Sequence, residues 1–115
     1  MPLGHEIRIM DKQGRICVIN LAGELDSESS LVLDHLLRAE LPSLATHVVV
    51  DVSYVRFISS SGWRIFVQWS HHRPRVGRFI LCGMCPEVRE IFEILGLEGV
   101  IETCSVVEDA MALVG

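Results

Sequence analysis

The sequence has no apolar run approaching the ~20 residues that a bilayer-spanning helix needs, so membrane insertion is not expected. It has no basic excess either: ten Lys and Arg stand against fifteen Asp and Glu, for a net charge of -5. Phosphate backbones attract the opposite sign, which excludes a general nucleic-acid role. The opening MPLGHEIRIMDK has no basic n-region and no apolar h-region, so no signal peptide is visible and a cytoplasmic protein is expected. There is no G-x-x-x-x-G-K phosphate loop and no kinase signature set. His5, His35 and His47 lack metal or catalytic spacing, and neither a metal nor a cofactor is expected.

What is present fits one compact domain spanning residues 1–115. Half of the chain is apolar and 22% is charged, which argues against disorder. There are four cysteines and no secretion signal, so a disulfide framework is not expected. Cys17, Cys82 and Cys104 lie in or at the end of apolar runs and read as buried, reduced thiols.

Residues 5–21 read as a hairpin. "EIRIM" alternates, "DKQG" supplies a turn and "RICVINL" resumes in extended form. "GELDSESS" breaks that run. Asp26 or Ser27 can cap a helix carrying Leu33, Leu36, Leu37 and Leu41, ended by Pro42. "HVVVDVS" is β-branched without alternation, the mark of a parallel strand buried on both faces. "GWRIFVQWSHH" is a mostly buried helix whose wet stripe is Arg64, Gln68 and His71.

"RFILCG" is a further buried strand. Next comes a helix with Pro86 at its first position, an apolar stripe of Val88, Ile91, Phe92 and Leu95, and Gly96 as its stop. "VIET" reads as a last strand, and Ser105 with Glu108 as a capping box for a last helix. The order is ββαβαβαβα, an α/β fold with a mixed, mostly parallel sheet and helices packed on it.

Two motifs invite chemistry. Ser59, Ser60 and Ser61 precede Gly62 and Trp63 at a strand-to-helix turn, where open α/β sheets carry their sites. A hydrolase elbow needs Gly two residues before its serine. Here those residues are Phe57, Ile58 and Ser59, so no catalytic residue is assigned. Cys82 and Cys85 form C-x-x-C before a helix, as in a thioredoxin-type redox site. No proline follows Pro86 to face the motif, and a zinc site would need two further ligands. The locally basic "HHRPRVGR" reads as a solvated loop around Pro74 and Gly77. The chain therefore reads as a binding or switching module.

Three segments together resemble the STAS domain, above all the bacterial anti-sigma factor antagonists. They are G-E-L-D from Gly23 to Asp26, D-x-S-x-V-x-x-I-x-S-S-G from Asp51 to Gly62, and P-x-V-x-x-x-F-x-x-x-G-L from Pro86 to Leu97. The resemblance implies binding to an anti-sigma factor that is also a GHKL-type serine kinase, with release of a sigma factor. It implies phosphorylation of Ser60, which ends the binding, and a PP2C-type phosphatase that restores it. It implies a partner-facing surface that includes Asp26, Ser59, Ser60, Ser61, Gly62 and Trp63.

Trp63 has helical spacing with Phe66 and Val67, which favours the core. As an aromatic residue it also suits an interface anchor. The sequence departs from the family at Ser59, where Asp is usual, and at Trp63, where Leu is usual. A second class of function implied by the resemblance is a scaffold without phosphorylation, either stressosome-type or the small subunit of an ABC-type lipid-transport complex.

Overall fold

The computed structural model describes residues 3–9, 15–40, 47–71 and 77–114. The expected turn at 11–14, the helix stop at 41–42 and most of the basic loop at 72–76 lie outside these residues. Strands β1 (Gly4–Ile9) and β2 (Ile16–Leu25) form the expected antiparallel pair. Helix α1 (Ser27–Glu40), strand β3 (His47–Ile58), helix α2 (Ser60–His71), strand β4 (Phe79–Cys82) and helix α3 (Pro86–Ile94) follow. A 3-10 turn (Leu97–Gly99), strand β5 (Glu102–Cys104) and helix α4 (Val107–Val114) complete the chain.

The sheet order is β1-β2-β3-β4-β5, and every pair after the first is parallel. The unbroken apolar runs bury both faces. Val48 and Val50 belong to one core with Leu33, Leu37, Phe66 and Phe92 from α1, α2 and α3. Val49 belongs to a second, smaller core under Ala110 of α4. Three helices thus cover one face and α4 covers part of the other.

The strands reach further than their sequence pattern suggests. β2 continues to Leu25 instead of stopping at Leu21, and Gly23 takes φ 113° next to a register shift. A positive φ is open to glycine at little cost, so the strand bends there instead of ending. β3 likewise runs past Ser53 to Ile58. Beyond Asp51 it pairs only with β2, so the two strands project past β4 as a ribbon. Burial along this stretch falls at Val52, Val55 and Ile58, a spacing of three. The bulges hide the period of two by which a strand is recognised.

The last third holds three smaller differences. β5 begins at Glu102, not at Val100. α4 begins at Val107, and its first-turn hydrogen bonds run to the Val106 carbonyl. Val106 therefore holds the cap position, and Ser105 lies one residue too early for the expected capping box. On α3 only Val88 and Phe92 are buried; Ile91 and Leu95 face solvent. Gly96 does stop α3, in the left-handed region at φ 70°, with its N–H donating to Glu93 O at 3.0 Å.

Candidate functional site at the start of helix α2

The β2–β3 ribbon delivers the chain to α2. The Ser59 N–H donates to Leu25 O at 2.7 Å, which fixes the turn against the end of β2. Ser59 is the helix cap. Its Oγ accepts the Gly62 N–H at 3.2 Å and its carbonyl accepts the Trp63 N–H at 3.0 Å. Serine and aspartate rank together as caps. The departure from Asp at this position thus keeps the helix start and removes one negative charge.

Ser60 is the first residue of α2 and is exposed. Its hydroxyl has no hydrogen-bond partner among the described residues. Ser61 is half-buried.

Gly62 is buried because three elements converge on it. A Cβ there would lie 2.8 Å from Ile58 Cγ2, 3.2 Å from Ser30 Oγ and 3.3 Å from Leu25 Cβ. The glycine lets the first turn of α2 sit against the first turn of α1. Ser30 is buried in that contact. Its Oγ donates to Asp26 O at 2.6 Å and lies 3.5 Å from Ser59 Oγ. Two helix N-termini, each a partial positive charge with free N–H groups, therefore open side by side.

Asp26 caps α1, as the sequence allowed for Asp26 or Ser27. Its Oδ1 accepts the Ser29 N–H at 2.9 Å, and its own N–H donates to Ser29 Oγ at 2.9 Å. The Ser29 N–H, and then the Ser29 hydroxyl donating to Oδ1 at 2.9 Å, hold the exposed carboxyl below its ordinary pKa. Asp26 and Ser60 thus stand on adjacent helix ends, joined through Ser30 and Ser59.

Gly62 and Trp63 offer a partner no surface, which corrects their assignment to the partner-facing set. Trp63 is 3% exposed. Its ring meets Phe66 at 6.0 Å, close to edge-on, and Phe92 at 5.7 Å. It therefore joins α2 to α3 inside the core, the outcome that helical spacing favoured. Its Nε1 is buried with no hydrogen-bond partner among the described residues. Trp69 differs, donating its Nε1–H to Asp34 of α1 at 3.1 Å. Sequence reasoning missed Ser30 entirely. A serine on the apolar side of α1 was its only signal.

The C-x-x-C motif is built differently. Cys82 is fully buried at the end of β4. Loss of solvation, then the neighbouring Cys104, Asp51 and Asp109, push its pKa up to about 12. Such a thiol is a poor nucleophile at neutral pH. Cys85 stands at the cap of α3 without a side-chain hydrogen bond to a backbone N–H of the helix. Its Sγ sits 3.7 Å from Val55 O and from Glu87 Oε2. All four cysteines are free thiols. Among the described residues no cluster of His, Cys, Asp and Glu could hold a metal ion.

Comparison with known proteins agrees with this architecture. Residues 8–110 match the model of the STAS domain family. BtrV of Bordetella bronchiseptica, a candidate anti-sigma factor antagonist, is 31% identical over 104 residues, covering 90% of each chain. An anti-sigma factor antagonist from Mycobacterium paratuberculosis has the same fold, with a TM-score of 0.83 at 21% identity over 97% of this chain and 93% of that one. The anti-sigma factor antagonist SpoIIAA in its unphosphorylated form superposes with a TM-score of 0.70 at 21% identity, over 96% of this chain and 97% of its own. On the sequence match, which takes in the strand-to-helix turn and both helix ends, the chain belongs to the STAS domain family.

Proposed function

We propose that this chain is a cytoplasmic anti-sigma factor antagonist, switched by phosphorylation of Ser60. Its partner on this reading is an anti-sigma factor that is also a GHKL-type serine kinase, and binding releases a sigma factor. A PP2C-type phosphatase resets the switch. The observation that carries the proposal is the exposed Ser60 hydroxyl at the first position of α2, beside the N-terminus of α1.

A phosphate adds about -1.5 to -2 charges at neutral pH. Free N–H groups and the positive ends of two helices accommodate it, so the modified chain stays folded. A docked partner would bury the same dianion unpaired, which costs several kcal/mol. Binding, not folding, therefore carries the penalty. The BtrV similarity supports the antagonist role. SpoIIAA, which shares the fold, is known in both an unphosphorylated and a phosphorylated form.

One observation favours a second reading. Ser59 supplies the cap without the carboxylate usual in the family, so a kinase that reads that charge would pass this chain by. The chain would then be a constant scaffold of the stressosome type, or a small subunit of an ABC-type lipid-transport complex. Intact-mass spectrometry with the cognate kinase and ATP separates the two. The switch predicts one added phosphate on the wild type and none on Ser60→Ala, with Ser59→Ala and Ser61→Ala still modified. Phosphate on another residue refutes the assignment to Ser60. No phosphate, with binding indifferent to ATP, selects the scaffold.

A further inference from the structure

Helix α3 carries more apolar surface than the sheet covers. Phe92, Val88, the capping residue Leu95, Ile91 and Ile94 span roughly 160° around the helix at 3.6 residues per turn, with Glu87 falling between Ile91 and Ile94. Only Val88 and Phe92 are buried. Ile91 is 43% exposed, Ile94 70% and Leu95 51%. Isolated surface apolar residues need no explanation, but a continuous stripe on one helix marks an interaction surface.

The charge around the stripe identifies what fits it. Glu87, Glu90, Glu93 and Glu98 are all exposed, and none is in an ion pair among the described residues. The fifth acid of the segment, Glu102, is held by Arg78 at 3.0 Å. Arg89 is the one cation between residues 86 and 104. A second copy docking by the same patch would set glutamates against glutamates. An anionic membrane surface would be repelled in the same way.

We infer that the outer face of α3 is a second docking surface, for a basic amphipathic helix of another protein. Its apolar side would lie on Ile91, Ile94 and Leu95, and its lysines or arginines would meet Glu87 and Glu90, which adjoin Ile91 and Ile94 around the helix. This face is distinct from the Ser60 end, since the α3 stripe points to solvent while Phe92 on its inner side packs against Trp63. Binding here is independent of the state of Ser60.

The test is fluorescence anisotropy of a labelled amphipathic helical peptide of leucine and lysine, titrated with the full chain. Binding is expected, weakening as salt rises. A leucine–glutamate peptide of the same pattern should not bind. Ile94→Ser and Glu90→Lys should each weaken binding about tenfold, as loss of an exposed anchor or a charge complement does. Both positions are exposed, and circular dichroism should show an unchanged fold. Leu31→Ser, at an equally exposed apolar residue of α1, should leave the affinity as it is. Equal binding by wild type and Ile94→Ser, or an equal loss in Leu31→Ser, overturns the proposal. So does a wild-type dimer in sedimentation that Ile94→Ser dissociates, because a second copy would then cover the stripe.

Discussion

Two turns of this molecule occupy equivalent places, and they behave in opposite ways. Each follows a parallel strand and opens a helix on the same face of the sheet. Ser59–Gly62 leads β3 into α2, and Cys82–Cys85 leads β4 into α3. In the first, the strand runs past its neighbour, so its end stands clear and Ser60 is exposed. In the second, the strand ends short of β3, at Cys82, whose thiol is buried, its pKa pushed up to about 12 chiefly by loss of solvation. The α2 cap is satisfied by a side chain, and the α3 cap is not. The position at a strand end therefore does not by itself expose a side chain. At the first turn, exposure goes with reach beyond the neighbouring strand and with a side-chain cap.

The largest effect should come from the residue that joins the two helices. Trp63→Ala should destabilise the fold by about 3–5 kcal/mol, because it empties a core position between Phe66 and Phe92. Urea denaturation reads this directly. A loss below about 1 kcal/mol would mean that Trp63 is not part of the core. Gly62→Ala comes next. The added Cβ meets Ile58 and Leu25, so a cost of about 1–3 kcal/mol is expected despite the better helix propensity of alanine.

The caps sharpen the comparison in both directions. Ser59→Ala removes the side-chain cap of α2 and should cost about 1 kcal/mol. Cys85→Ser offers α3 the cap it lacks, on backbone already extended at φ -68° and ψ 164°. A gain of about 0.5–1 kcal/mol is expected. Opposite shifts in melting temperature would show that a side-chain cap contributes at both turns; no shift in Cys85→Ser would show that the second turn cannot use one.

The effect smallest at neutral pH is at the second turn, where it appears only as a pH dependence. The folded pKa of Cys82 lies above its unfolded value of roughly 8.5. The unfolded chain thus releases its proton first as pH rises. Stability attributable to Cys82 is full below about pH 8.5 and is lost progressively toward pH 12. Cys82→Ala should flatten that decline in a melting-temperature series against pH.

Much of this was legible in the residues. The order of elements follows from the alternation of apolar runs, and Val48–Val50 announces a strand buried on both sides. Asp26 or Ser27 announces a helix start, and Gly96 a helix stop. The ribbon was hidden because its bulges replace a period of two with a spacing of three at Val52, Val55 and Ile58. The exposure of Ile91 and Leu95 was hidden because an apolar stripe does not reveal how wide a surface its neighbours cover. The resemblance, aligned on Gly62, points to Ser60 among the three serines, and the structure adds that Ser60 is exposed. That Ser59, and not an acid, holds the helix there required the hydrogen bonds.

The proposed switch requires that phosphorylation of Ser60 alter binding without altering the fold. The direct measurement is a titration of the cognate anti-sigma factor with unmodified and Ser60-phosphorylated protein, alongside the melting temperature of each. The account predicts affinity lower by on the order of 100-fold, since each 1.4 kcal/mol is tenfold, with melting temperatures nearly equal. Equal affinities, or an affinity loss accompanied by a collapse in melting temperature, would contradict it.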